Sequence, residues 1–194
     1  MLRHKKMCVV LSILTVLVLS GILVWLHGPV IPAEKGPFLT EQQVRQLAEK
    51  QIASTVANPP FAGLEWTKDS KVTYMQPHYD FAGNAIAYEC RVETNGQKGG
   101  DIFITTQGKG RVSGFRTTGQ ATCDQRMQTA LGRDAQNGDY LINGAVCGYD
   151  VAVRQADGTY LVAQMFGKPK VISERELRWH AWWSHHNPLR NDFA

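Results

Sequence analysis

The longest uniform feature of the hydrophobic pattern is an apolar run near the N-terminus. Residues Met7–Leu26 form twenty positions without a charged side chain, and three basic residues precede them. At a rise of ~1.5 Å per residue, such a run matches a bilayer core of about 30 Å. The pattern predicts a cytoplasmic tail at residues 1–6 and an uncleaved transmembrane anchor at residues 7–26, with the rest of the chain outside the cytoplasm.

A cleaved signal peptide has a similar pattern and is the competing interpretation. The run is longer than the ~7 to 15 residues of a signal-peptide core. Bulky Val24, Trp25 and Leu26 also stand where signal peptidase requires small residues. The pattern therefore favours a single-pass protein of the bacterial inner (cytoplasmic) membrane over a protein secreted after cleavage.

Residues 27–38 are rich in proline and glycine, which interrupt helices, and they contain few apolar residues for a strand. The composition predicts a stiff stalk between the anchor and an extracytoplasmic domain at residues 39–194. Such a stalk would hold the domain up to about 30 Å from the membrane.

From residue 39 onward the apolar spacing is typical of an α+β domain. Thr40 and Gln43 match a capping box, and apolar residues then recur at three- and four-residue steps until Pro59 ends the helix. Short β-branched and aromatic runs then alternate with glycine turns, as in antiparallel hairpins. The strands predicted in this first part, residues 39–131, are Lys71–Met75, Ile86–Val92, Ile102–Ile104 and Val112–Phe115.

Residues 132–194 continue the pattern with a further β-hairpin and a C-terminal helix. Ser173 and Glu176 repeat the capping box before a predicted helix from Glu174 to about Ser184. The remaining predictions are a short helix at Thr122–Arg133 and strands at Tyr140–Val146, Tyr149–Arg154 and Thr159–Phe166.

Charge excludes one class of partner. All 17 acidic residues and 18 of the 21 basic residues follow Leu26, so the net charge of the part beyond the apolar run is close to +1. A near-neutral domain lacks the basic field that binding to nucleic acid requires. We therefore expect no nucleic-acid partner.

Cysteine chemistry is the next candidate. Cys90, Cys123 and Cys147 follow the apolar run, and three cysteines cannot all pair within the chain. Either one disulfide forms and leaves one thiol free, or all three thiols are free. Cys123 with Cys147 is the preferred disulfide, because it would close a loop in the least regular part of the chain. Cys147 with the later His180, His185 and His186 has the residue types of a Cys/His hydrolase. A nucleophilic thiol needs a neighbouring base or a helix N-terminus to lower its pKa, and Cys147 lies in a strand-like run at no helix start.

No cofactor or metal is expected. The adjacent His185 and His186 would point about 100° apart on a helix and cannot bind one metal as a pair spaced four residues apart can. The glycines between the strands form turns, since none of them joins a strand to the start of a helix as a phosphate-binding loop does.

Trp179, Trp182 and Trp183 form an aromatic stripe on the predicted C-terminal helix. Such a stripe either closes the core of the second half or contacts a partner or lipid headgroups, where tryptophan is enriched. The spacing is compatible with both interpretations.

Three segments resemble a known family: Tyr79–Tyr88, Gly99–Thr105 and Val112–Gly119. Together with the helix after Thr40, they resemble the cystatin-like propeptide and inhibitor domains of streptopain-type cysteine proteases, and less closely PepSY-type domains. The resemblance covers about 90 of the 194 residues. Asp101 departs from it, because the family has an aromatic residue there. It implies a cystatin-like helix packed on an antiparallel sheet, in a domain that covers or inhibits a protease cleft.

These observations predict a membrane-anchored extracytoplasmic domain that binds a protein and is not an enzyme. The expected partner is an exported peptidase, contacted through strand edges or the loop Asn95–Gly100. The candidate contact residues there are Asn95, Gly96, Lys98 and Asp101. Two alternatives stay open. One is a structural subunit of a membrane or envelope complex docked through its tryptophan-rich helix, and the other is the Cys/His hydrolase.

Overall fold

The computed structural model describes residues 2–60, 64–164 and 168–186. Within these residues the helices are α1 Leu2–His27, α2 Glu41–Ala57, α3 Thr122–Leu131, α4 Gly144–Cys147 and α5 Glu174–His186. The strands are β1 Ser70–Tyr79, β2 Ala85–Thr94, β3 Gln97–Thr105, β4 Arg111–Arg116, β5 Leu141–Ile142, β6 Val151–Arg154, β7 Tyr160–Ala163 and β8 Lys170–Ile172.

Helix α1 begins inside the segment predicted to be a cytoplasmic tail. Among the described residues, no helix has both the length and the apolar character that crossing a membrane requires. This finding corrects the predicted fold, which contained a transmembrane helix at residues 7–26. The basic residues and the apolar run form one continuous helix.

The described strands form one eight-stranded sheet in the order β4-β3-β2-β1-β5-β6-β7-β8. Neighbouring strands are antiparallel except β1 and β5, which are parallel where His78 lies opposite Leu141 and Tyr79 opposite Ile142. The sheet is therefore mixed, and the prediction of an antiparallel sheet with a separate hairpin was wrong. The second half of the chain instead extends the first sheet beyond β1.

One face of the first four strands is apolar and covered by α2. The predicted capping box is confirmed, because Gln43 N donates to Thr40 Oγ1 (3.3 Å) and Thr40 N donates to Gln43 Oε1 (2.9 Å). The apolar side of the helix packs against alternate residues of β2 and β3. This core contains Val44, Ala48, Ile52, Trp66, Tyr88, Cys90, Val92, Ile102 and Ile104.

The second half differs from its prediction at the segment Tyr140–Val146. Strand β5 ends at Ile142, because Asn143 caps α4 by accepting a hydrogen bond from Ala145 N (2.9 Å). The capping box of α5 is confirmed, with Glu176 N donating to Ser173 Oγ (3.2 Å). The predicted strand Thr159–Phe166 corresponds to β7, and Phe166 lies outside the described residues.

The segment predicted to be a stalk, residues 27–38, lies along the sheet. Glu34 N donates to Asp80 Oδ2 (3.0 Å), and Gln107 Nε2 donates to Lys35 O (2.9 Å). Gly28 lies against α5, where a Cβ atom would stand 3.1 Å from Arg175 O. These contacts hold the segment against the sheet and α5.

Candidate functional site

The second face of the sheet is polar where α3 begins. Glu89 in β2 alternates with the core residues Tyr88 and Cys90, so its side chain lies on the face opposite α2. Pairing between the strands places His78 of β1 and Asp101 of β3 on this same face. All three side chains are buried. The sheet thus brings two carboxyl groups and an imidazole together.

The carboxyl groups of Asp101 and Glu89, which are distant from α3 in sequence, cap the N-terminus of this helix. Ala121 at the N-cap offers no side-chain hydrogen bond to the first turn. Thr122 N instead donates to Asp101 Oδ2 (3.0 Å), and Cys123 N donates to Glu89 Oε1. The unpaired N–H groups and partial positive charge of a helix N-terminus favour such carboxyl groups. One structural role of both acids is therefore to hold α3 on the sheet.

The environments of Asp101 and Glu89 shift the pKa values of the two carboxyl groups in opposite directions. Burial raises the pKa of Asp101, but hydrogen bonds from Glu89, Arg116 and Thr122 outweigh it and bring that pKa below its usual value. Burial, followed by the hydrogen bond and negative charge of Asp101, raises the pKa of Glu89 to about 8. At pH 7 Glu89 is therefore a neutral acid and Asp101 a carboxylate that accepts from Arg116 Nε (2.8 Å).

His78 is 3% exposed, and its Nε2 atom has no hydrogen-bond partner. This nitrogen is 3.9 Å from Glu89 Oε2, too far for a hydrogen bond. Burial and the nearby charge of Arg126 lower the pKa of His78 to about 4, so the ring is neutral at pH 7. Its edge faces Phe103 at a centroid distance of 5.5 Å. A buried polar atom without a partner is rare in folded proteins and requires an explanation.

His78, Glu89 and Asp101 line an open cleft of about 620 Å³ between the sheet, α3, α4 and α5. Hereafter it is called the His78 cleft. Its other charged side chains are Arg126 of α3 and Asp150. The uncharged polar residues of the wall are Thr122, Asn143, Tyr149 and Ser184. Both halves of the chain therefore contribute to one site.

The carboxyl and imidazole side chains of the His78 cleft are suited to hydrogen bonding and proton transfer. A neutral carboxyl group can donate a proton, and a neutral imidazole can donate or accept a hydrogen bond, depending on its tautomer. Within the described ranges, no group of three His, Cys, Asp or Glu side chains is arranged to hold a metal ion.

The predicted cysteine residues do not lie together. Cys123 and Cys147, the preferred disulfide pair, are both buried free thiols and belong to different core clusters. Cys147 ends α4, and burial raises the pKa of its thiol to about 12. His180 contacts the carbonyl oxygen of Cys147 through Nδ1 (3.0 Å). The thiol is thus neutral near pH 7, which does not suit a nucleophile.

The predicted partner-binding residues are dispersed. Asn95 and Gly96 form the two-residue turn between β2 and β3, with φ values of 53° and 77°, so the predicted loop is short. Lys98 Nζ lies 3.2 Å from Asp134 Oδ2 on the surface. Asp101 lies in β3 and is buried at the His78 cleft.

The aromatic stripe on α5 is partly buried. Trp182 is half-buried and contacts Trp179 and Trp183 edge to face, at centroid distances of 6.0 and 5.6 Å. Trp183 is 62% exposed. The stripe therefore contributes both to packing and to the surface.

Sequence reasoning missed His78 and Glu89. Glu89 had a signal, because an acid between Tyr88 and Cys90 in an apolar strand must lie on the opposite face. His78 had none, since Pro77 interrupts the strand pattern and β1 was predicted to end before it. Comparisons with protein families, curated proteins and solved structures found no match for this chain.

Proposed function

We propose that the chain binds a small neutral polar molecule in the His78 cleft. The observation that carries this proposal is His78 Nε2, which is buried at the cleft wall without a hydrogen-bond partner. A ligand atom within hydrogen-bond distance of this nitrogen would satisfy it, and satisfied buried polar groups are the rule in proteins.

The charges of the cleft favour a neutral ligand. The carboxylates of Asp101 and Asp150 oppose an anion, while the guanidinium of Arg126 opposes a cation. Glu89 and His78 are both neutral near pH 7. An amide, a hydroxyl or a carbonyl group matches the imidazole of His78, because a neutral imidazole nitrogen donates or accepts a hydrogen bond depending on its tautomer.

Three probes of similar size and different charge test the proposal: acetamide, acetate and methylammonium. Binding to the full chain at pH 7 is measured by saturation-transfer NMR. We expect acetamide to bind more tightly than either ion, and its binding to be lost in His78→Phe. His27→Phe is the matched control, since His27 is exposed at the end of α1. Equal binding of the ions, or acetamide binding that survives His78→Phe, would refute the proposal.

The protein-partner role predicted from the sequence is a second candidate. The observation that favours it is the exposure of Trp183 at 62%, since exposed tryptophan is enriched at interfaces. If Trp183 contacts a partner, Trp183→Ala would release any protein that co-purifies with the full chain while leaving its thermal unfolding unchanged. A partner retained by Trp183→Ala, or the absence of any co-purifying protein, would count against this role.

A further inference from the structure

A second groove of about 710 Å³ adjoins the His78 cleft. The two share Phe103, Asn143 and Ala145 in their walls, so they lie side by side. The wall of the second groove is mainly apolar. Its apolar side chains include Val30, Ile31, Phe38, Ile86, Val146 and Trp182.

The groove is formed by elements that are distant in sequence. The segment at residues 28–38 supplies its outer side, held to the sheet by the hydrogen bonds of Glu34 and Gln107. Helix α5 supplies Trp182, whose ring stacks on His186 at a centroid distance of 4.4 Å. Two acidic residues line the groove, Asp80 and Glu34. The carboxylate of Asp80 already accepts from Ala82 N, Asn84 N and the backbone N of Glu34. The rest of the wall is mainly apolar and complements an uncharged apolar group.

We infer that the ligand is an amphiphile, with a neutral polar head in the His78 cleft and an alkyl or acyl chain in the second groove. This inference rests on the proposed function and adds the chemical class of the ligand. It follows from the wall that the two cavities share and from their different polarity. The head meets the buried imidazole and carboxyl groups, and the chain loses its contact with water against Trp182, Phe38 and Ile31.

The test compares octanamide with acetamide, which share the head group and differ by six methylene groups. Affinities for the full chain are measured by isothermal titration calorimetry at pH 7. Full burial of a methylene strengthens binding about fourfold. We therefore expect octanamide to bind at least about tenfold more tightly than acetamide, and up to about a thousandfold if most of the chain is buried.

Substitutions in the protein test whether the alkyl chain of octanamide lies in the second groove. Trp182→Ala should reduce the gain from octanamide about tenfold or more and leave acetamide binding unchanged. Trp183→Ala is the matched control, because Trp183 is the adjacent tryptophan and does not line the groove. Ile31→Ser provides a second test outside any helix or strand, in case Trp182→Ala unfolds. Trp183→Ala also retains the exposed apolar side chains of α1, so it accounts for any octanamide that binds to α1 instead of the groove.

The outcomes separate the two proposals. If acetamide binds through His78 but octanamide binds no more tightly, the amphiphile is refuted and the proposed function stands. If octanamide gains affinity equally in wild type, Trp182→Ala and Ile31→Ser, its chain lies elsewhere and the inference is wrong. If neither amide depends on His78, both proposals fail.

Discussion

Glu89 has the most unusual environment of the acids in the cleft. It is 1% exposed, lies beside ionised Asp101, and accepts a hydrogen bond from the first turn of α3. Burial and the neighbouring carboxylate both favour its protonated form, and its pKa is raised to about 8. The folded protein therefore holds a proton on Glu89 at a pH where the unfolded chain has released it.

Glu89→Gln should remove this proton linkage. Between pH 4.5 and 8 the folded state binds one more proton at this site than the unfolded state, so the site lowers stability as pH rises. Glutamine resembles the protonated acid and does not titrate. The free energy of unfolding of Glu89→Gln minus that of wild type should therefore increase by about 3–5 kcal/mol from pH 4.5 to pH 8. Urea unfolding at a series of pH values measures this difference.

Glu93→Gln is the control for this series, because Glu93 lies in the same strand and is partly exposed. It should leave the pH profile of wild type nearly unchanged. A Glu89→Gln variant whose stability follows wild type over the whole pH range would show that Glu89 is ionised in the folded protein.

At the scale of elements, α3 is held on the sheet by charge as well as by apolar packing. Asp124 is fully buried, and it accepts from Arg91 Nε (2.8 Å) and from Ala135 N (3.0 Å). Arg91 also lies over the ring of Tyr74, with its guanidinium carbon 4.6 Å from the ring centroid. This pair joins β2, α3 and the connection that follows α3.

Asp124→Asn should destabilise the protein by about 3 kcal/mol, because it leaves the guanidinium of Arg91 partly buried without a counter-charge. The double variant Arg91→Met with Asp124→Leu should recover part of this loss, since it removes both charges. Chemical unfolding of the single and double variants measures the difference. Lys98→Met, which breaks the exposed pair with Asp134, should cost less than about 1 kcal/mol. A similar cost for Asp124→Asn and Lys98→Met would contradict the role given to Arg91 and Asp124.

Elements with local signals could be predicted from the sequence. The capping boxes at Thr40 and Ser173 depend on residues three positions apart, so they can be read directly from the chain. The strand predicted at Tyr140–Val146 failed because the Asn143 side chain starts a short helix there. The site could not be predicted, because His78 meets Glu89 only through the pairing of β1 with β2 and the packing of α3 over both.

At the scale of the molecule, the described strands join both halves of the chain into one sheet. The only contact between the halves within the described sheet is the β1–β5 pair, and the His78 cleft lies on the face of this junction. Ile102 in the first half and Leu177 in the second are both fully buried, in different core clusters. A continuous sheet with a shared cleft should unfold as one unit.

Ile102→Ala and Leu177→Ala test this cooperativity. Each should lower the stability of a single shared transition by about 2–5 kcal/mol, followed in urea by circular dichroism and by tryptophan fluorescence. Val171→Ala is the control, since Val171 is 62% exposed, and it should change little. Two separate transitions, each sensitive to only one of the core variants, would show that the halves unfold independently.

Contact between His78 Nε2 and a neutral ligand can be measured directly. The measurement is the ¹⁵N chemical shift of this atom in the histidine-labelled chain, titrated with acetamide at pH 7. We predict a saturable change in the His78 signal and none in that of exposed His27. A His78 signal that stays constant up to saturating acetamide would contradict the claim.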